Sequence, residues 1–475
     1  MSSRALAADL RRVLPAGQVL DAIEDRTLYA YDGTSAKALP DLVVMAPSRD
    51  VVAAVLRFAS ANDVAVVPRG AGTGLSGGSV PAKGGIALVL AGMRAIKEID
   101  AGSMVTVVEP GVITGQLQKA VEAAGMFYPP DPASLNYCTI GGNVAENAGG
   151  PHGVKYGVTK DYVLGLEVVL ASGETVRLGG KQIKNVTGYN LVQLFVGSEG
   201  TLGVITETTL RLLPKPPATK TMLAIFDRLE DAADAVTGVM AGGVIPATLE
   251  IMDQQSINCV EDYLKIGLPR SVEAILLIEC DGMREAVEAE AQVISAICHE
   301  KGVRSFETAR DEHEADRLWR ARRAISPAIS QNRPRKIGED ISVPRSAFPA
   351  MVREIQRISR EHGLPIVIFG HAGDGNLHPN ILADPRDPEE MERVEKAIAA
   401  IFEAAVKLGG TLSGEHGIGL SKKAFIPLAL SPETVKLMRD VKRALDPRGI
   451  LNPGKIFAGN DKTPMTNDQL GKGSL

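Results

Sequence analysis

The stretch Arg69-Gly70-Ala71-Gly72-Thr73-Gly74-Leu75-Ser76-Gly77-Gly78 constrains this chain more than any other. It follows the apolar run Val64–Pro68, which reads as a buried strand. Gly72, Gly74 and Gly77 fit a G-x-G-x-x-G spacing. That spacing is a dinucleotide fingerprint only where a helix opens on the loop and an acidic residue ends the next strand. Neither condition holds: Gly78-Ser79-Val80-Pro81 breaks the chain, and Val89-Leu90-Ala91-Gly92 carries no acid. A nicotinamide cofactor is therefore not expected. The loop either cradles a pyrophosphate with its own N–H groups or is a set of tight turns.

Two further glycine blocks follow, Ile140–Gly150 and Gly197–Gly203. Short apolar runs at 42–46, 86–90, 105–108, 164–170 and 204–212 read as strands around them, with helices at 50–61 and 114–124. Pro214-Lys215-Pro216-Pro217 marks a domain boundary. Beyond it, strands and helices alternate with hairpins, including a continuous helix over 311–329, which predicts an α+β cap on an antiparallel sheet. The expected organisation is an N-terminal helix region (1–35), a first domain (36–217), a cap (218–430), a segment returning to the first domain (431–459) and a disordered polar tail (460–475).

A length of 475 residues fits two domains. The net charge of −5 offers no basic field for nucleic acid or anionic lipid. Cys138, Cys259, Cys280 and Cys298 form no C-x-x-C pair and no disulfide-like spacing. The N-terminal stretch reads as an amphipathic helix without a secretory apolar core. Apolar runs such as 86–90 are too short to span a membrane. A cytoplasmic location is expected, with a peripheral place at the inner membrane as the alternative.

A second constellation lies at Gly370-His371-Ala372-Gly373-Asp374-Gly375-Asn376-Leu377-His378, after the strand candidate Pro365–Phe369. Asp374-Gly375 predicts a two-residue type I′ turn. That register pairs Gly373 with Asn376, Ala372 with Leu377, and His371 with His378, on one face and about 4.5–5.5 Å apart at Cβ. The hairpin is either half of a metal site or carries two unrelated histidines. Thr411-Leu412-Ser413-Gly414-Glu415-His416-Gly417-Ile418-Gly419 is the other dense block. Two histidines and a glutamate suit a divalent ion with positions left open for substrate. In Leu318–Ser326, Arg322 and Ser326 fall at i, i+4 on one helix face, and Lys336 follows. An arginine fork suits a carboxylate.

Taken together, Arg69–Gly78, Pro129-Pro130-Asp131-Pro132-Ala133-Ser134, Gly141–Gly150, Lys155-Tyr156-Gly157 and Gly197–Gly203 resemble the vanillyl-alcohol-oxidase-type (PCMH-type) flavoprotein family over nearly the whole chain. The chain is most similar to the glycolate oxidase flavoprotein subunit and the FAD-dependent D-lactate and D-2-hydroxyglutarate dehydrogenases. The resemblance implies a two-part FAD-binding domain plus an antiparallel-sheet substrate cap. It implies FAD with its pyrophosphate on Gly70, Ala71, Gly72, Thr73 and Gly74. Further flavin contacts are implied at Arg69, Gly77, Pro132, Ser134, Gly141, Gly142, Asn143, Asn147, Gly149, Ile205 and Asn452. Some relatives attach FAD through a histidine of the first glycine loop. The first histidine here is His152, so non-covalent FAD is expected.

His371, His378 and Glu415 align with the ligands of a divalent ion, zinc first, with manganese or ferrous iron as alternatives. His416 aligns with the catalytic base. Arg322, Ser326 and Lys336 align with residues that hold the substrate carboxylate. The implied reaction is oxidation of a (D-)2-hydroxy acid such as D-lactate, glycolate or D-2-hydroxyglutarate to the 2-oxo acid. In it the metal polarises the hydroxyl and hydride passes to flavin N5. The alternatives are a non-redox flavin enzyme of the same fold, such as an ether-lipid synthase, or a non-catalytic flavin-binding subunit. Electrons then leave to a quinone, an electron-transfer flavoprotein, a partner subunit or oxygen, in a homodimer or a heteromeric complex.

Overall fold

The computed structural model describes residues 3–331 and 334–459; the expected disordered tail lies outside them. The chain forms two compact units. The first is built from Met1–Ala148, Val158–Lys215 and the chain from Glu415 onward; the second from Gly149–Gly157 and Pro216–Gly414. The boundary at the proline cluster falls within three residues of the expected 218. The return does not fall at 431: the first unit reclaims the chain at Glu415. The reason is hydrogen bonding. Leu420 N donates to Ser76 O, and Ile418 N and Gly419 N donate to the Glu199 carboxylate, all within the first unit.

In the first unit, Leu42–Met45, Ile86–Val89 and Val66–Arg69 form a parallel trio. Parallel strands need a crossover, and helix Arg49–Asn62 provides one. Its Val52, Val55, Leu56 and Ala59 recur at i, i+3, i+4 and i+7 and are buried against Leu42, Val44, Ile86 and Leu88. The helix stops where Asp63 turns left-handed, with φ at 53°. A second, antiparallel sheet has the order Ile96–Asp100, Val105–Val108, Val204–Arg211, Val163–Val169, Thr175–Gly179. The second glycine block contains a short helix, Ile140–Glu146, whose N-cap Thr139 accepts from Gly142 N.

The second unit is an eight-stranded sheet, antiparallel throughout, as the alternation of strands and hairpins predicts. Leu223, Met252, Ile275, Val367, Phe369 and Leu382 share one face and pack with Ile257, Val260, Ile325 and Ile329. Alternate residues such as Met222, Ala224 and Ile368 point to the other face by the two-residue period of a strand. Helix Phe348–His362 belongs to this unit. It buries Phe348, Met351, Val352, Ile355 and Ile358 at helical spacing and ends at left-handed Gly363.

The expected helix over 311–329 is two helices, Glu312–Arg323 and Ile325–Ile329. The break is at Ala324, with ψ at −5°. Pro327 has no N–H to give the Arg323 carbonyl, so the ladder cannot run through. Arg322 and Ser326 therefore sit on opposite sides of a junction, and not on one continuous helix face.

Candidate active site

The first unit holds a cavity of about 1300 Å³, its open mouth included. The first glycine loop forms part of the wall with Arg69, Gly70, Ala71, Gly72, Thr73 and Gly74. Pro132, Ser134, Gly141, Gly142, Asn143 and Ile205 line it as well. Side chains are excluded from much of this wall. A Cβ on Gly70 would collide with Thr139 Oγ1, and one on Gly72, at φ +72°, with the Arg69 guanidinium. What remains is bare main chain, the surface a pyrophosphate needs. Arg69 itself is a strut: its Nη1 donates to Tyr31 O at 2.6 Å and to Ser79 Oγ at 3.3 Å. Burial lowers its pKa, with Asp32 opposing. The Asn143 amide is also spoken for, donating to Thr114 Oγ1 at 2.7 Å.

Three expected flavin residues stand behind this wall. A Cβ on Gly77 would meet Leu420 at 3.0 Å. Asn147 caps a helix in left-handed geometry and accepts from Lys160 N. Asn452 donates to Gly78 O at 2.8 Å and Glu199 O at 2.7 Å, so it ties two glycine blocks together. Gly149 belongs to the second unit.

Glu415 and His416 line the same cavity. His416 Nε2 lies 4.0 Å from Glu415 Oε1, and both side chains are largely buried. Two carboxylates that sequence reasoning missed, Glu146 and Glu199, also reach the cavity. Burial, with Glu199 next to it, pushes Glu146 well above the usual carboxylate range. Glu199 is pushed up by burial against the pull of two N–H donors. Lys455 donates to Val80 O and Asn452 Oδ1 nearby, and burial brings its pKa down to about 8.

In the second unit the hairpin does not adopt the expected register. His371 pairs with Asn376, Gly370 with Leu377, and Phe369 with His378. The turn has four residues: Ala372–Asp374 form a 3₁₀ turn and Gly375 is left-handed at φ +84°. A type I′ turn needs two positive φ angles; Asp374 has none and instead accepts Asn376 N through its Oδ1. Gly375 is pressed where a Cβ would strike the Val343 carbonyl. The register has slipped by two residues, which preserves the face. His371 and His378 are thus diagonal neighbours on one face, with ring centroids 5.0 Å apart at 87°.

Glu250 stands directly opposite His371 in the adjoining strand. Its Oε1 is 2.7 Å from His371 Nδ1, and its Oε2 accepts from Arg322 Nε at 2.6 Å. Burial would raise its pKa, but Arg322 and His371 outweigh this and hold it below the usual range. Donation to the Glu250 carboxylate places the proton on His371 Nδ1 and leaves the lone pair on Nε2, as a metal ligand needs. Sequence reasoning missed Glu250. The available signal was a charge, Glu250, set between apolar neighbours Leu249 and Ile251 in the strand Thr248–Asp253. Asp340 lies 3.7 Å from His378 Nδ1.

The three expected carboxylate-binding residues fall into two contact sets. Arg322 is buried on Glu250, with its guanidinium over the Phe369 ring at 5.2 Å. Ser326 is exposed and accepts from Lys336 Nζ at 2.6 Å. Burial lowers the Lys336 pKa.

The fold is of the two-domain PCMH type that binds FAD. A solved structure of p-cresol methylhydroxylase superposes with a TM-score of 0.79 over 96% of both chains at 19% identity, a likeness of fold alone. The family "FAD binding domain" matches residues 40–179, and "FAD linked oxidases, C-terminal domain" matches 215–456. Glycolate oxidase subunit GlcD of Bacillus subtilis (strain 168) is 48% identical over 92% of this chain and 93% of its own. D-2-hydroxyglutarate dehydrogenase of Stutzerimonas stutzeri is 36% identical over 96% of this chain and 100% of its own. The chain belongs to the family of FAD-linked 2-hydroxy-acid oxidases and dehydrogenases.

Proposed function

We propose that this protein oxidises a small (D-)2-hydroxy acid, such as glycolate, D-lactate or D-2-hydroxyglutarate, to the 2-oxo acid. The observation that carries the reading is the place of His416: an imidazole on the wall of the same glycine-lined cavity that suits FAD. When bound, FAD supplies the two-electron acceptor for the α-hydrogen, and a divalent ion supplies Lewis acidity at the substrate hydroxyl.

The chain's own residues do the rest. His416 accepts the hydroxyl proton, a task suited to a group that ordinarily titrates near pH 6.5. Arg322, aligned by Glu250 through its Nε, offers its terminal amines to the substrate carboxylate. Lys336 and Ser326 offer a second polar anchor. His371, His378 and Glu415 are proposed as ligands of zinc, or of manganese or ferrous iron. The histidine pair supports this, because it already shares one sheet face with Nδ1 of His371 tied back. Gly414 packs so closely on Asn376 that a Cβ would collide with its amide; Glu415 is the next residue.

Anaerobic addition of glycolate, D-lactate or D-2-hydroxyglutarate to the yellow protein is expected to bleach the flavin with at least one of them. No bleaching with any 2-hydroxy acid would overturn the proposal. Acid precipitation is expected to leave a colourless pellet and all flavin in the supernatant, because the FAD is bound without a covalent link; yellow protein in the pellet would refute that. Glycolate oxidase GlcD is named as a subunit, and we propose that electrons leave this protein to a partner subunit, an electron-transfer flavoprotein or a quinone. Among the described residues no helix is long and apolar enough to cross a membrane. A cytoplasmic place, with a peripheral one at the inner membrane as the alternative, is part of the same proposal.

A further inference from the structure

The segment that follows His416 has little stiffness of its own. Gly417 and Gly419 are both left-handed, at φ +83° and +49°. Glycine admits many conformations at small cost, so this segment needs outside contacts to hold one of them. Two groups supply the contacts. Ser76 O accepts Leu420 N at 2.8 Å, Ser421 N at 3.1 Å and Ser421 Oγ at 3.1 Å. Glu199 accepts Ile418 N at one carboxylate oxygen and Gly419 N at the other, each at 2.7 Å. Hydrogen bonds to an ionised acceptor are roughly twice as strong as neutral ones.

Glu199 is itself held in an uncommon state. It is a non-glycine residue at φ +50°, between left-handed Gly197 and Gly200. Its N donates to Ala145 O and its O accepts from Asn452 Nδ2. A glycine would fit that backbone at less cost, so the carboxylate is what the position gains. A Cβ on Gly417 would strike Glu146 Oε2 and come within 3.1 Å of Glu199 Oε1. Two carboxylates this close, both buried, do not both ionise cheaply. The two N–H bonds pull Glu199 toward its ionised form, while burial beside Glu199 pushes Glu146 up.

We propose that Glu199 is a positioning residue for the reaction: by accepting the Ile418 and Gly419 N–H groups it fixes the direction in which His416 presents its imidazole to the cavity. This rests on the reading of His416 as the proton acceptor. Glu199→Gln keeps the size and offers only one acceptor atom where two donors point. In the flavin-loaded variant, amide hydrogen exchange of the peptide covering 415–421 is expected to quicken about tenfold or more. Unchanged exchange would overturn the proposal.

The maximal rate of anaerobic flavin reduction by glycolate or D-lactate should fall about 10–100-fold, with the half-saturating concentration little changed. Glu199→Gln added to His416→Asn should slow the reaction no further than His416→Asn alone, since the residue acts through that imidazole. Independent, multiplying losses would also overturn it. If Glu199→Gln does not retain FAD, Glu199→Asp carries the same tests, keeping the charge but withdrawing the oxygens by one methylene. A His416→Asn protein that reduces flavin at the wild-type rate would instead defeat the reading of His416, while the exchange result would still judge Glu199.

Discussion

His416→Asn is expected to slow flavin reduction by a 2-hydroxy acid about 10²–10⁴-fold, the usual worth of a general base. Bound FAD should stay close to wild type, because the glycine wall and Ser76 contacts remain. Asparagine has no group that takes a proton near neutral pH. The loss should therefore shrink as the pH rises and hydroxide takes over the proton transfer. Stopped-flow reduction from about pH 7.5 to about pH 10, above the ordinary imidazole value of about 6.5, checks this. A wild-type rate in the variant would remove His416 from the reaction. Loss of FAD together with rate would show that the imidazole holds the cavity and does not serve the chemistry.

Glu250→Gln carries the second large effect. One amide oxygen cannot accept from both His371 and Arg322, and its NH₂ would oppose one of them. Loss of a carboxylate partner behind a metal-binding histidine typically costs about 10–100-fold in metal affinity. Arg322 would be left buried on a neutral neighbour, and breaking a buried ion pair costs about 3–5 kcal/mol. On the proposed reading of His371 and His378 as metal ligands and of Arg322 as the carboxylate anchor, the expected result is metal lost on dialysis, a raised KM from a loosened Arg322, and a lower Tm. Added zinc or manganese should restore rate but not KM. Unchanged metal content and KM would show that the Glu250 bridge serves stability alone.

These residues also show what the chain reveals before folding. The glycine loop was legible because two local tests excluded the dinucleotide reading. The hairpin was legible as strand–turn–strand, and its face was read correctly although its register was not. Asp374-Gly375 is a strong local signal for a two-residue turn, but a contact with Val343 selected a four-residue turn. No local pattern encodes that contact. A slip of one residue would have split the histidines; a slip of two did not. The helix break at Ala324 was written in the sequence as Pro327, three residues on, and outweighed by apolar periodicity. The helix Ile140–Glu146 was hidden by its own glycines, which disfavour helix. Glu250 lies 121 residues from His371, so only sheet pairing brings them together. The Glu199 contacts with the His416 segment are of the same kind, spanning 219 and 220 residues.

The first unit's three-part construction bears on how such a protein is made. Val66 pairs with Leu451, Asn452 reaches Gly78 and Glu199, and Lys442 Nζ donates to Thr201 O and Leu451 O. The glycine cavity is thus walled from behind by residues made long after the loop they support. Domains commonly fold as they are synthesised, N-terminal part first. Here that order cannot finish the flavin cradle: the segment 40–179 emerges early and must wait for Lys442, Leu451 and Asn452. A chain that stops just before Ile450 is therefore expected to lack the backing of its flavin cradle and to purify without FAD.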